Sequence, residues 1–141
     1  MARWQEATDF RRGRNCVFLL HAHLVFVTKR RRGVLDGDAI TRLRQIFTDV
    51  CRDFEAELVQ MDGEDDHVHL LVNYPPKVAI ARLVNSLKGV SSRILRRDRP
   101  DLAKLRVMRT ALWSPSYFSG SCGGAPMTVL KRYIENQRTP A

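Results

Sequence analysis

The stretch "CVFLLHAHLVFVTK", Cys16 to Lys29, constrains the fold more than any other part of the chain. It is rich in β-branched and aromatic residues and carries no fixed charge before its last position. A strand this apolar cannot lie at a sheet edge, so it reads as a central strand. A central strand needs neighbours. "AELVQMDGE" and "DHVHLLVNY" read as two short antiparallel strands around an acidic connection, and Pro75 and Pro76 stop the second. "ALWSPSYFSGSC" reads as a last strand, broken by Pro115.

Two helices fall between these strands. After the glycine-bearing turn "RRRGVLDGDA", apolar residues recur at Ile40, Leu43, Phe47, Val50 and Phe54, with Asp38 placed as the cap. "KVAIARLVNSLKGVSSRILRR" is a second amphipathic helix. It turns Ile80, Leu83, Val84, Leu87 and Ile94 inward and Lys88, Arg93, Arg96 and Arg97 outward, and Pro100 ends it. Gly123-Gly124 makes a flexible joint, after which Pro126 opens a final helix, "PMTVLKRYIENQ". The order predicts an α+β, ferredoxin-like (RRM-like) antiparallel sheet with helices on one face, plus a C-terminal helix. The 141 residues suit a single domain, with a core over 15–122 and the last helix over 125–138. The same layout serves many RNA-binding modules, so fold alone does not assign a function.

Charge narrows the partner. The formal net charge is +9, and the basic residues cluster at Arg11, Arg12 and Arg14, at Lys29 to Arg32, and at Arg93, Arg96, Arg97 and Arg99. Clustered cations suit a polyanion, because each phosphate neutralised releases a counterion. Nucleic acid is favoured over an anionic membrane, since no segment pairs a basic face with a bulky aromatic one. No apolar run approaches the length of a membrane span, and the start "MARWQEATDFRRGRN" has no apolar signal region, so a cytoplasmic protein is expected. Cys16, Cys51 and Cys122 form no CxxC pair and read as reduced, structural residues.

Chemistry concentrates in "DDHVHLLV". On a strand, His67 and His69 point the same way, with Cβ atoms roughly 6–7 Å apart, from which two imidazoles can converge on one metal. Two half-exposed strand histidines would give the same pattern. His21 and His23 repeat the spacing in an apolar strand without acidic neighbours and read as structural, unless that strand pairs with the histidine strand. A third ligand would be a carboxylate or a side-chain amide. Glu64, Asp65 and Asp66 are near but also read as a solvated turn. Tyr133 and Gln137 share one face of the last helix, beside an apolar stripe of Met127, Leu130 and Ile134. If that helix packs over the histidines, Gln137 offers a carbonyl oxygen. Tyr133 by itself reads as a packing residue.

"HLVFVTKRRRGVL", "DDHVHLLV", "LVNSLKGVSSRIL", "WSPSYFSGSCGGAP" and "VLKRYIENQ" occur in that order. Together they resemble the single-tyrosine HUH transposases of small bacterial and archaeal insertion sequences, the IS200-like family, from about His23 to Gln137. The resemblance implies that His67, His69 and Gln137 hold a divalent metal, Mg2+ or Mn2+, and that Tyr133 is the nucleophile. It implies cleavage and rejoining of single-stranded DNA at element ends through a 5′-phosphotyrosine. It also implies recognition of nearby hairpins, and a homodimer with composite active sites. The family commonly has proline where Asp65 stands, which alters the turn more than the chemistry. Tyr74 and Tyr117 fall at structural positions. Lys29, Arg30, Arg31, Arg32, Lys88, Arg93, Arg96 and Arg97 would track the DNA backbone. Trp4, Trp113 and Phe118 are candidate stacking surfaces, the last two also reading as core. The competing readings are a replication-type or domesticated HUH endonuclease, and a non-catalytic RNA-binding module. The last lacks the aromatic RNP1 pattern.

Overall fold

The computed structural model describes residues 11–13 and 15–121. The expected helix over 125–138, with Tyr133 and Gln137, lies outside the described residues, as do Trp4, Cys122 and the Gly123-Gly124 joint.

The described strands are β1 (Arg11–Gly13), β2 (Cys16–Phe18), β3 (His21–Val27), β4 (Glu57–Gly63), β5 (His67–Asn73) and β6 (Phe118–Ser121). The α-helices are α1 (Gly37–Asp53), α2 (Ile80–Asp98) and the short α3 (Pro100–Ala103). Four strands form one antiparallel sheet in the order β4-β5-β3-β6, the ferredoxin-like arrangement, and β1 and β2 form a separate hairpin. As its composition requires, β3 is central, and six of its seven residues are buried.

The apolar run is nevertheless two strands. It breaks at Leu19 and Leu20, and Cys16–Phe18 turns away to pair with Arg11–Gly13. The partner strand explains this. β5 ends at Asn73, just before two prolines that cannot donate to a ladder, and the Tyr74 N–H closes the pairing on the Leu20 carbonyl at 3.0 Å. Beyond that point the run has no neighbour in the four-stranded sheet.

Alternation divides the sheet into two faces. Ala22, Leu24 and Phe26 of β3 and Val68, Leu70 and Val72 of β5 meet Leu43, Phe47 and Val50 of α1 and Leu83, Leu87 and Leu95 of α2 in one core. Phe26 sits edge-on to both Phe47 and Trp113, with centroids 5.9 and 5.8 Å apart. Trp113 is thus a core residue, and its indole N–H donates to the buried Ser91 hydroxyl at 2.9 Å.

Two details correct the sequence reading. The cap of α1 is Asp36, whose carboxylate accepts from the Ala39 N–H, while Asp38 lies inside the first turn. Lys88 does not face outward. Its ammonium donates to the carbonyls of Ser114, Pro115 and Ser116 at 2.7 to 3.2 Å, and burial pulls its pKa below the usual lysine value. Among the described residues, no helix is long and apolar enough to cross a membrane.

Candidate active site

The face of the sheet opposite the helices carries the candidate chemistry. Alternation puts His67, His69, Leu71 and Asn73 of β5 there, with His21, His23, Val25 and Val27 of β3. The register places His69 beside Val25 and His67 beside Val27. Val25 and Val27 are fully buried, so the two imidazoles are flanked on the β3 side by apolar side chains. Because β3 does pair with β5, His21 and His23 share the face of His67 and His69. Burial, and then the charges of His69 and His21, hold the pKa of His23 below the usual histidine value.

The turn before β5 is clamped from outside. The segment after β3 folds over it. The Thr28 N–H donates to the Asp66 carbonyl, and the Leu35 N–H to the Asp65 carbonyl, each at 2.9 Å. Gly33 lies so close that a Cβ there would fall 2.5 Å from an Asp65 carboxylate oxygen. Of the three acidic residues in this turn, Glu64 and Asp65 are exposed, whereas Asp66 is half-buried between two partners. His67 Nδ1 lies 2.8 Å from one of its oxygens and Arg31 Nε 2.5 Å from the other. Burial pushes the Asp66 pKa upward, but the bonds from His67 and Arg31 outweigh it and hold the carboxyl below its ordinary value. On β4, Asp62 pairs in register with His69, and its carboxylate lies 3.9 Å from His69 Nε2.

This donor set fits part of a divalent-metal site. His67 faces Asp66 through Nδ1, which leaves Nε2 as its other ring nitrogen, and His69 projects from the same face of the strand. Among the described residues, no three His, Cys, Asp or Glu side chains could hold a metal together. Any completing donor is therefore of another type or lies elsewhere in the chain.

The basic residues are divided. Lys29 to Arg31 form a 3-10 turn in which Arg30 and Arg31 both have left-handed backbone, φ 55° and 53°. Arg31 points inward to Asp66. Lys29, Arg30 and Arg32 line a cleft of about 820 Å³ with Leu105 and Arg106. Arg93 and Arg97 of α2 are exposed, and Arg97 pairs with Asp98. Arg96 donates inside the fold to the Ser92 and Arg109 carbonyls. Arg106 and Asp62 were not singled out in the sequence. Arg106 reaches the cleft only through the packing of its 3-10 turn against Lys29 to Arg31, and the proximity of Asp62 to His69 depends on strand register.

A four-stranded antiparallel sheet with helices on one face and paired strand histidines on the other defines the class. The sequence profile described as "Transposase IS200 like" matches residues 16–137, and the chain belongs to that family of transposases. It is 33% identical over 129 residues to the ISDra2 transposase TnpA of Deinococcus radiodurans, covering 92% of this chain and 91% of that one. It is 27% identical over 123 residues to the IS200 transposase of Salmonella typhimurium, covering 87% and 77%. A crystal structure of a transposase from Deinococcus radiodurans R1 superposes with a TM-score of 0.81 at 30% identity, covering 92% of this chain and 99% of that one. A REP-associated tyrosine transposase, solved bound to a REP hairpin, shares the fold with a TM-score of 0.55 at 14% identity, covering 82% and 62%.

Proposed function

We propose that this transposase cuts and rejoins single-stranded DNA at insertion-sequence ends, with Tyr133 as nucleophile and Mg2+ or Mn2+ held by His67, His69 and Gln137. The observation that carries the reading is the pair of imidazoles on the face of β5 opposite α1 and α2, one of them with Nδ1 2.8 Å from the Asp66 carboxylate. The cation would polarise the scissile phosphate and offset charge that builds in the transition state. The Tyr133 oxygen attacks phosphorus, so a P–O(Tyr) bond forms as the P–O3′ bond breaks. The phenol loses its proton and the 3′-oxygen gains one. The product is a 5′-phosphotyrosine and a free 3′-hydroxyl, and because the phosphodiester energy is retained, rejoining needs no ATP. A phenol of pKa about 10 is a weak nucleophile at neutral pH, so neighbouring positive charge must favour its ionised form.

The cleft lined by Lys29, Arg30, Arg32 and Arg106 supplies cations for the DNA backbone, and Arg93 and Arg97 of α2 are further exposed cations. A folded hairpin beside each cleavage site is the recognition element, and the REP-associated transposase bound to a hairpin supports that choice. The active sites are composite in a homodimer, with the tyrosine helix of one subunit set against the histidines of the other.

The test is cleavage of a single-stranded oligonucleotide carrying an element end. Cleavage should require Mg2+ or Mn2+, stop in chelator, and be lost in His67→Ala. Undiminished cutting in chelator or by that variant contradicts the metal role.

A further inference from the structure

Resting on that reading of the metal site, we infer that Asp66 and Arg31 are positioning residues. Asp66 fixes the tautomer and ring orientation of His67, and Arg31 fixes Asp66. The geometry is a relay of two contacts, Arg31 Nε to Asp66 Oδ2 at 2.5 Å and Asp66 Oδ1 to His67 Nδ1 at 2.8 Å. A carboxylate on Nδ1 keeps the proton there, raises the basicity of Nε2 and aims it away from the turn, as partners behind metal-bound imidazoles do.

The arginine end shows that this is more than a surface ion pair. The Arg31 side chain is only 12% exposed, and its Nη1 is buried with no hydrogen-bond partner among the described residues. Its backbone is left-handed, at φ 53°. A buried unsatisfied donor and a strained backbone each disfavour the folded state, and such outliers gather at functional sites. The neighbouring Lys29, Arg30 and Arg32 open onto the cleft instead, although Arg30 shares the left-handed backbone, so what sets Arg31 apart is its burial against Asp66. The turn therefore separates its cations by role, one directed to the metal site and three to the basic surface.

The first measurement is the tautomer of His67 in the metal-free protein, read from its ring-nitrogen chemical shifts. The relay predicts the Nδ1–H form, and a predominant Nε2–H form overturns it without any variant. The second is Mn2+ affinity by titration calorimetry or paramagnetic resonance. Asp66→Ala should weaken Mn2+ binding roughly 10- to 100-fold. Asp66→Asn should bind between Asp66→Ala and the wild type, because its carbonyl still accepts from Nδ1–H without the charge. Arg31→Gln should lose affinity in the same direction, with Arg31→Lys restoring part of it. A purely structural pair would lower the unfolding temperature and leave the tautomer and the affinity of the folded protein unchanged, which contradicts the relay. His67→Ala separates the two failures. If it leaves Mn2+ binding intact, the metal assignment itself is wrong. If it abolishes binding while Asp66→Ala binds like wild type, only the relay is wrong.

Discussion

Cys51 and Cys16 show how differently the fold treats one side chain. Cys51 is fully buried in the core, and burial pushes its thiol up to about 12, whereas Cys16 is exposed on β2. Thiolate is the reactive form, so iodoacetamide at about pH 8 should label Cys16 in the native protein and Cys51 only after denaturation. Peptide mapping distinguishes the two, and rapid native labelling of Cys51 would contradict the packing. The same distinction governs the arginines and lysines. Their clustering in sequence is visible, but what each touches depends on where distant carbonyls and carboxylates fall. That is why Arg31, Lys88 and Arg96, read as DNA-tracking residues alongside Lys29, Arg30, Arg32, Arg93 and Arg97, have their hydrogen bonds inside the fold. The histidine pair was legible because strand alternation alone sets both on one face. The role of Asp66 was not, since it depends on Arg31 arriving from another segment.

At the scale of elements, α1 depends on its cap. Asp36 accepts from the Ala39 N–H and pairs in a fork with Arg99, and these contacts lower its pKa to about 2. A carboxyl depressed in the folded state adds stability above its unfolded pKa of about 3.9, and that stability is lost as pH falls toward the folded value. Asp36→Ala should therefore cost about 0.5–2 kcal/mol near neutral pH, and the gap to wild type should narrow below about pH 4. Urea unfolding of both proteins at pH 7 and pH 3 measures this, and a gap that widens in acid contradicts it. The cap lies two residues before Asp38, since both aspartates precede the same apolar period and only the backbone at Asp36 leaves the helix. The break within the first apolar run was hidden for another reason: it depends on where the neighbouring strand stops.

For the whole molecule, the order of strands and helices and their apolar periods were sufficient to predict the four-stranded sheet with helices on one face. The extra β1–β2 hairpin was not foreseen. The composite dimer is testable by complementation. Tyr133→Phe and His67→Ala proteins, each inactive alone, should regain part of their cleavage when mixed and allowed to exchange subunits, because one site then holds both an intact tyrosine and intact histidines. Confirmed exchange without cleavage would place each tyrosine on its own subunit's histidines. The chain has three tyrosines, and Tyr74 and Tyr117 pack half-buried against the core. The most direct test is to trap the covalent adduct with a labelled single-stranded substrate and map it by peptide mass. DNA is expected on Tyr133, with no adduct in Tyr133→Phe; an adduct on Tyr74 or Tyr117, or cleavage that persists in Tyr133→Phe, would rule out Tyr133 as the nucleophile.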